Sequence, residues 1–398
     1  MSADPALSAG WWEHGERSIP AAQTVDRLRS HLRSLGITRL ARQTGLDRIG
    51  IPCFSAIRPA GLTLSVSQGK GHDDASAMAS ALMEAAEFAI AEQPRAPSRV
   101  ATAADLTGAG EAVCTPGHLL PPEQSFPIDG SIRWLEGKAW PSGERIWIPR
   151  DVVTIGGDAE DLPGVSRSTN GLASGNTTEE ALFHAICELL ERDATSLWSL
   201  LPDAARLATE FAAAEVEDAA VRQMSLDIAD AGLELRLFDQ TTDLGVPCVM
   251  AVISEPPLAG ARMFDMAAGY GCHPVGARAI TRAITEAAQT RITNIAGGRD
   301  DFLPAEYAEE TDESVAFLND RPPVQARAPA WLAPGSALPQ MLSRLADKVG
   351  PAAEIAWVEL GGSPYGISVV RALSAVLEDR ESNVHWQPRR RALEVLTP

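Results

Sequence analysis

Pairs of carboxylates recur on segments whose other residues are apolar. In AMASALMEAAEF (residues 77–88), Ser80, Glu84 and Glu87 are spaced four and three, so they share one helix face among Ala, Leu, Met and Phe. In EEALFHAICELLER (residues 179–192), Glu180, His184, Glu188 and Glu191 form one stripe, again with apolar flanks. A third segment repeats the spacing with Arg282, Glu286 and Gln289. Arg291 falls about 200° around from Gln289 and reaches the same site only if the helix bends or ends there. Burying ionised carboxylates together is costly unless a cation compensates them. Carboxylates converging from several helices suit a hard, oxygen-seeking cation, Mg2+ above all. Because magnesium keeps waters and bridges to phosphate, a nucleotide is its natural companion.

The segment SQGKG (residues 67–71) offers backbone N–H groups and the Lys70 ammonium to phosphates. It is not a P-loop: no glycine stands at the required place before Gly69-Lys70, and no Ser or Thr follows Lys70. The plain alternatives are a helix face turned to water and a solvated turn lysine. The closeness of SQGKG to the Ser80–Glu84–Glu87 helix favours the phosphate role. His72, His184 and His273 read first as structural residues. So do Cys187 and Cys272, two of five scattered cysteines that include no CxxC pair.

These side chains need elements to hold them. Periodicity predicts helices over residues 23–35, 74–92, 178–199, 204–231 and 275–296. Between the first two, the chain reads as strand, turn and strand leading into a glycine loop. IRWLEGKAW and ERIWIPRDV, joined by Pro141-Ser142-Gly143, read as a hairpin, as do EIAWVEL and GISVVRALS. LELRLFDQ and PCVMAVIS are strands, residues 170–176 form a second glycine-rich loop, and residues 93–130 are mostly loop. Residues 300–340 read as a surface excursion, acidic and then proline-rich. The layout is α+β with mixed or antiparallel sheets, since strands and helices do not alternate as a Rossmann fold requires.

Composition removes whole classes of function. With 34 Lys and Arg against 53 Asp and Glu, the 398 residues carry a net charge of -19, which opposes nucleic-acid binding. No apolar run is long enough to cross a membrane, and the N-terminal residues lack the pattern of a signal peptide. Scattered, odd-numbered cysteines read as reduced thiols and a cytoplasmic location.

The ordered set GKG with SALMEAAE, NGLASGNTTEEALFHAICELLERD (residues 170–193) and HPVGARAITRAITEAAQTR (residues 273–291) resembles the YcaO family. The resemblance spans residues 20–375, with residues 1–19 and 376–398 as tails. It implies an α+β fold that binds ATP and Mg2+ without a Walker motif. It also implies activation of a peptide backbone amide by phosphorylation of its oxygen. Glu84, Glu87, Glu180, Glu188 and Glu191 would then hold magnesium. Lys70, Ser80, Arg192, Arg282, Glu286, Gln289 and Arg291 would contact ATP. Two departures stand out: Phe88 occupies a position where many members have Arg, and the C-terminal WQPRRRALEVLTP lacks the alternating prolines of several azoline-forming members.

Three functions follow. The first is thioamide formation on a ribosomally made peptide or protein, beside a TfuA-type partner. The second is an azoline-forming cyclodehydratase, and the third a non-catalytic ATP-binding assembly protein. A homodimer is compatible with each. The missing proline tail and the absence of a fused recognition domain favour thioamidation.

Overall fold

The computed structural model describes residues 17–157, 159–255, 266–297, 318, 328–329 and 338–397. The expected excursion at 300–340 lies almost wholly outside the described residues. In chain order the elements are α1 (Ala21–Arg29), β1 (Arg39–Arg42), β2 (Cys53–Ile57), β3 (Val66–Lys70), α2 (Asp74–Ala91), β4 (Ser98–Ala101) and α3 (Ala103–Gly108). Then come β5 (Ala112–Val113), β6 (Ile132–Trp140), β7 (Arg145–Pro149), α4 (Arg150–Val153), β8 (Leu172–Gly175), α5 (Thr178–Ser199), α6 (Asp203–Leu207), β9 (Glu210–Phe211) and α7 (Ala219–Asp230). The chain closes with β10 (Glu234–Asp239), β11 (Cys248–Ser254), β12 (Met266–Cys272), α8 (Gly276–Ala296), α9 (Leu338–Val349), β13 (Ile355–Gly361), β14 (Ser368–Ser374) and α10 (Arg390–Leu396).

Three sheets form, ordered β1-β2-β3, β12-β11-β10-β9 and β5-β7-β6-β13-β14-β8, with β4 added to β6. Among the described residues every pairing is antiparallel except β5 with β7, so the fold is α+β with antiparallel and mixed sheets. Each sheet has one edge strand under a long helix: β3 under α2, β8 under α5 and β12 under α8. The two expected hairpins form as β6/β7 and β13/β14.

The helices start and stop where local chemistry dictates. The Asp73 carboxylate accepts from Ser76 N–H at 2.7 Å and caps α2, and the Thr177 hydroxyl accepts from Glu180 N–H to cap α5. Gly297, at φ 54°, ends α8 in the left-handed conformation. The helix expected over 204–231 is instead broken into α6, β9 and α7. Buried Glu210 pairs with fully buried Arg236 at 3.0 and 2.7 Å, which ties β9 onto β10, and Asp218 caps a new helix.

The two expected glycine loops are largely strand. Gly69 lies inside β3, where an added Cβ would fall 2.1 Å from Ala81 N and 2.2 Å from Ala77 O of α2. Gly175 of β8 would meet Ala181 N of α5 at 2.4 Å, and Gly269 of β12 would meet Ala287 N of α8 at 2.1 Å. These glycines, facing helix alanines, let backbone lie on backbone. Gly69→Ala should therefore lower unfolding stability by about 3 kcal/mol or more, because the clash is with main chain. Gly45→Ala, with nothing within 4 Å of its Cβ, should stay within about 0.5 kcal/mol of the parent. Urea unfolding of the two variants checks this, and equal stabilities would contradict it.

Candidate functional site

Where the three edge strands and their helices meet, a cleft of about 560 Å3 opens. Lys70 reaches it from β3; Ser80, Glu84 and Glu87 from α2; Glu188, Glu191 and Arg192 from α5; and Arg282, Glu286 and Gln289 from α8. The helical stripes read from sequence thus face one another across a single space.

Two expected residues are not brought into it. Glu180 is fully buried, and its carboxylate accepts from Arg17 Nη1 (3.1 Å), Ser18 N (3.0 Å), Ser18 Oγ (2.8 Å) and Asn176 Nδ2 (3.2 Å). Arg291 stays on the other face of α8, which continues to Ala296. Its guanidinium donates to Asp47 at 3.1 Å and to Glu255 at 2.8 Å. The sequence reading had missed Arg17, which lines the cleft, and also Gln68, Ser174 and Thr293. Gln68 and Lys70 alternate onto the same strand face, and Thr293 follows Gln289 by one helical turn, so periodicity alone could have found both. Arg17 and Ser174 carry no such local signal.

Carboxylates of α2 and α5 reach main-chain N–H groups of the edge strands. The Gln68 N–H of β3 donates to Glu84 Oε2 at 3.2 Å, and the Cys272 N–H of β12 donates to Glu191 Oε2 at 2.9 Å. Ser174 of β8 lies beside Glu87 and acts to lower its pKa, while its hydroxyl donates to Met83 O at 3.3 Å. Burial nevertheless raises Glu87 well above the usual carboxylate range, and the neighbouring Glu188 and Glu84 charges raise it further. Burial also pushes Glu188 up to about 7, although Arg192 acts against it, and it raises Glu191 with help from Glu286.

Cations share the same cleft. Lys70 Nζ donates to Glu286 Oε2 at 2.6 Å and to Gln289 Oε1 at 3.1 Å. Against its own burial, Lys70, Arg192 and Arg282 hold Glu286 below the ordinary carboxylate range. Arg192 contacts Glu381 at 3.1 Å, and Arg282 Nη1 lies 3.3 Å from His184 Nδ1. His273 is turned inward, its Nδ1 accepting from Val275 N–H, and Cys187 and Cys272 are buried free thiols.

The donor set fits a magnesium nucleotide. Glu87, Glu188 and Glu191 crowd together at raised pKa, and no arginine, lysine or histidine of the described residues comes within 4.0 Å of them to form an ion pair; an added cation would relieve that crowding. No three acids, cysteines or histidines among the described residues form a ready metal cage. That suits Mg2+, which takes few protein ligands and fills its octahedron with water and phosphate oxygens.

Comparison with known proteins agrees with this chemistry. Residues 68–378 match the family model described as YcaO cyclodehydratase, ATP- and Mg2+-binding. An "uncharacterized protein in tfuA 3'region" of Rhizobium leguminosarum bv. trifolii is 41% identical over 321 residues, 78% of this chain and 74% of that protein. The YcaO from Methanopyrus kandleri bound with AMPPCP and Mg2+ shares the fold at TM-score 0.71, with 22% identity over 94% of this chain and 96% of its own. A heterocyclase in complex with substrate and cofactor matches at TM-score 0.74 and 20% identity, and covers 92% of this chain. This chain spans 53% of that heterocyclase.

The Glu188 shift has a measurable sign. Its folded pKa lies above its ordinary value of 4.5, so ionising it costs the folded state. The penalty is small near pH 5 and complete above about pH 7. Without metal or nucleotide, Glu188→Gln should be more stable than the parent at pH 8 by about 1–2 kcal/mol, a figure discounted for water in the cleft. The advantage should shrink toward pH 5. Urea titrations at the two pH values check this, and an advantage that grows on acidification would refute the assignment.

Proposed function

The chain belongs to the YcaO family of ATP- and Mg2+-binding enzymes, and we propose that it converts a peptide backbone amide into a thioamide. The observation that carries the reading is the cleft, where acids from α2 and α5 come together with Lys70, Arg192 and Arg282. Bound ATP supplies a phosphoryl group to the amide oxygen, so that amide, ATP and HS− give thioamide, ADP and phosphate, with the oxygen leaving on phosphate and sulfur replacing it.

The side chains divide the work. Glu84, Glu87, Glu188 and Glu191 hold magnesium. Lys70, Arg192 and Arg282 answer phosphate charge, with Glu286 and Gln289 fixing the Lys70 ammonium. Ser80 offers a hydroxyl donor at the same cleft. Leu64, Val66, Met83 and Phe88 line an apolar side of the cleft and keep water from the activated amide. Glu180 joins the metal set only if Arg17 and Ser18 release it.

Two observations support thioamide over ring formation. The relative from the tfuA region points to the same neighbourhood. No described residue of the C-terminal segment lines the cleft, although Glu381 reaches Arg192; the segment is tied to α5 and its surroundings, with Arg391 paired to Asp193 at 2.9 Å and Asp243 at 2.7 Å and Trp386 Nε1 donating to Glu378 at 2.9 Å. The likeness to a heterocyclase favours the second reading, an azoline-forming cyclodehydratase. A TfuA-type protein is the proposed partner, and phosphate release should require both it and a peptide.

Glu188→Gln and Glu191→Gln should each weaken metal-dependent ATP binding by more than about 100-fold, beyond the loss typical of outer-shell partners. Their circular dichroism should match the parent. Calorimetry showing unchanged affinity would sink the site assignment. Intact-mass analysis of a peptide treated in the presence of sulfide should show oxygen exchanged for sulfur. Loss of one water at Cys, Ser or Thr, with no sulfur gain, would establish the cyclodehydratase instead.

A further inference from the structure

Where the match to the family model ends, the chain makes a turn over residues 378–382 that is fastened along α5. The Glu378 N–H donates to Asp193 Oδ1, the Arg380 N–H to Ser196 Oγ and Arg380 Nη1 to Ser199 Oγ, each at 2.9 Å. Asp193, Ser196 and Ser199 follow one another three residues apart, so one side of α5 receives all three bonds. Within the turn the Asp379 carboxylate accepts from the Ser382 N–H and hydroxyl and from Asn170 Nδ2. Glu378 is fully buried, and its carboxylate accepts from Trp386, Arg389 and Ala392.

The fastened turn aims one side chain at the cleft. Glu381 meets Arg192 at 3.1 Å, and among the described residues this is the only ion pair that Arg192 makes. Sequence spacing favours a different partner. Arg192 stands four residues after Glu188 on α5, the order in which acid and base attract each other best along a helix. It also follows Glu191 directly, yet neither acid comes within 4.0 Å of it. Against its burial, the charges of Glu191, Glu188, Glu286 and Glu381, in that order, raise Arg192 above the usual guanidinium range. Three acids of the cleft thus pull on a guanidinium that Glu381 keeps.

Which carboxylate Arg192 takes decides what the others can do. Closed onto Glu188, its N–H donors would occupy the oxygens that a magnesium ion needs, and its charge would be turned from phosphate. Held by Glu381, it leaves both open. Lys70 is fixed in the same way, by Glu286 and Gln289 and not by the crowded acids. The Glu381 side chain is 43% exposed and that of Arg192 28%, so the pair itself adds little to stability.

We propose that Glu381 is a positioning residue for the metal site, holding the Arg192 guanidinium off Glu188 and Glu191 so that the acids stay open to Mg2+ and the arginine to phosphate. Its effect on metal rests on the magnesium assignment of those acids; its hold on Arg192 does not.

Metal binding to the nucleotide-free full chain tests this with Mn2+, which shares the carboxylate and water preference of Mg2+ and is read by electron paramagnetic resonance. Glu381→Ala should weaken Mn2+ binding about tenfold, the loss usual when a group behind a metal ligand is removed. Glu381→Asp should stay within about threefold of the parent, because the long arginine side chain can follow a carboxylate set back by one methylene. In an Arg192→Gln background, Glu381→Ala should change Mn2+ affinity by less than about twofold, since the side chain it positions is gone. Unchanged affinity in Glu381→Ala, or the same tenfold loss in the Arg192→Gln background, would overturn the proposal. A crystal structure of Glu381→Ala should show the Arg192 guanidinium within hydrogen-bond reach of Glu188 or Glu191, and an unmoved guanidinium would equally overturn it. If Glu188→Gln leaves Mn2+ binding intact, the magnesium assignment fails, while the crystal structure still decides whether Glu381 holds Arg192.

Discussion

Three helices can deliver acids to one point only because each lies almost in backbone contact with the edge strand below it. Gly69, Gly175 and Gly269 remove the side chains that would hold α2, α5 and α8 away, and Ala77, Ala181, Ala283 and Ala287 do the same from the helix side. At that separation an edge strand has outward N–H groups with no further strand to receive them. Gln68 donates to Glu84 and Cys272 to Glu191. Sheet edges, usually a hazard for aggregation, are covered by helices and used to aim carboxylates.

Those hydrogen bonds position the acids without neutralising them. Burial and mutual repulsion keep Glu87, Glu188 and Glu191 at raised pKa, so the ligand-free site carries an electrostatic strain that a cation relieves. The cations Lys70, Arg192 and Arg282 line the same cleft and act on Glu191, so a polyphosphate would answer their charge as a metal answers that of the acids. A set of both signs suits a magnesium nucleotide, whose metal answers the acids and whose phosphates answer the cations.

The periphery uses the opposite strategy. Arg58–Glu92, Arg236–Glu210 and Arg391–Asp193 are closed ion pairs with additional hydrogen bonds, which is how buried charge is made tolerable. Glu180 belongs with these groups in the present conformation, sealed by Arg17 and Ser18. The contrast between these closed pairs and the crowded acids Glu87, Glu188 and Glu191 marks the cleft.

Helical periodicity is local, so the sequence by itself determined which side chains share a face. Ser80, Glu84 and Glu87, then Glu188 with Glu191, then Arg282, Glu286 and Gln289 could all be grouped from spacing, and Arg291 could be set apart by its angle. The main helices, both hairpins and the α+β class were legible for the same reason. Which faces would meet was not, because that depends on three sheets assembled from segments far apart in the chain. Spacing put Glu180 on the same stripe as Glu188, yet the cleft begins only one turn farther along α5, and residues near the N-terminus cover the earlier carboxylate. The Gly69-Lys70-Gly71 segment read as a phosphate loop because a glycine's φ/ψ freedom is visible in sequence, whereas the helix pressing on it is not. Arg371 gave no signal inside an apolar strand, and only the pairing of β14 with β8 buried its guanidinium near Glu188.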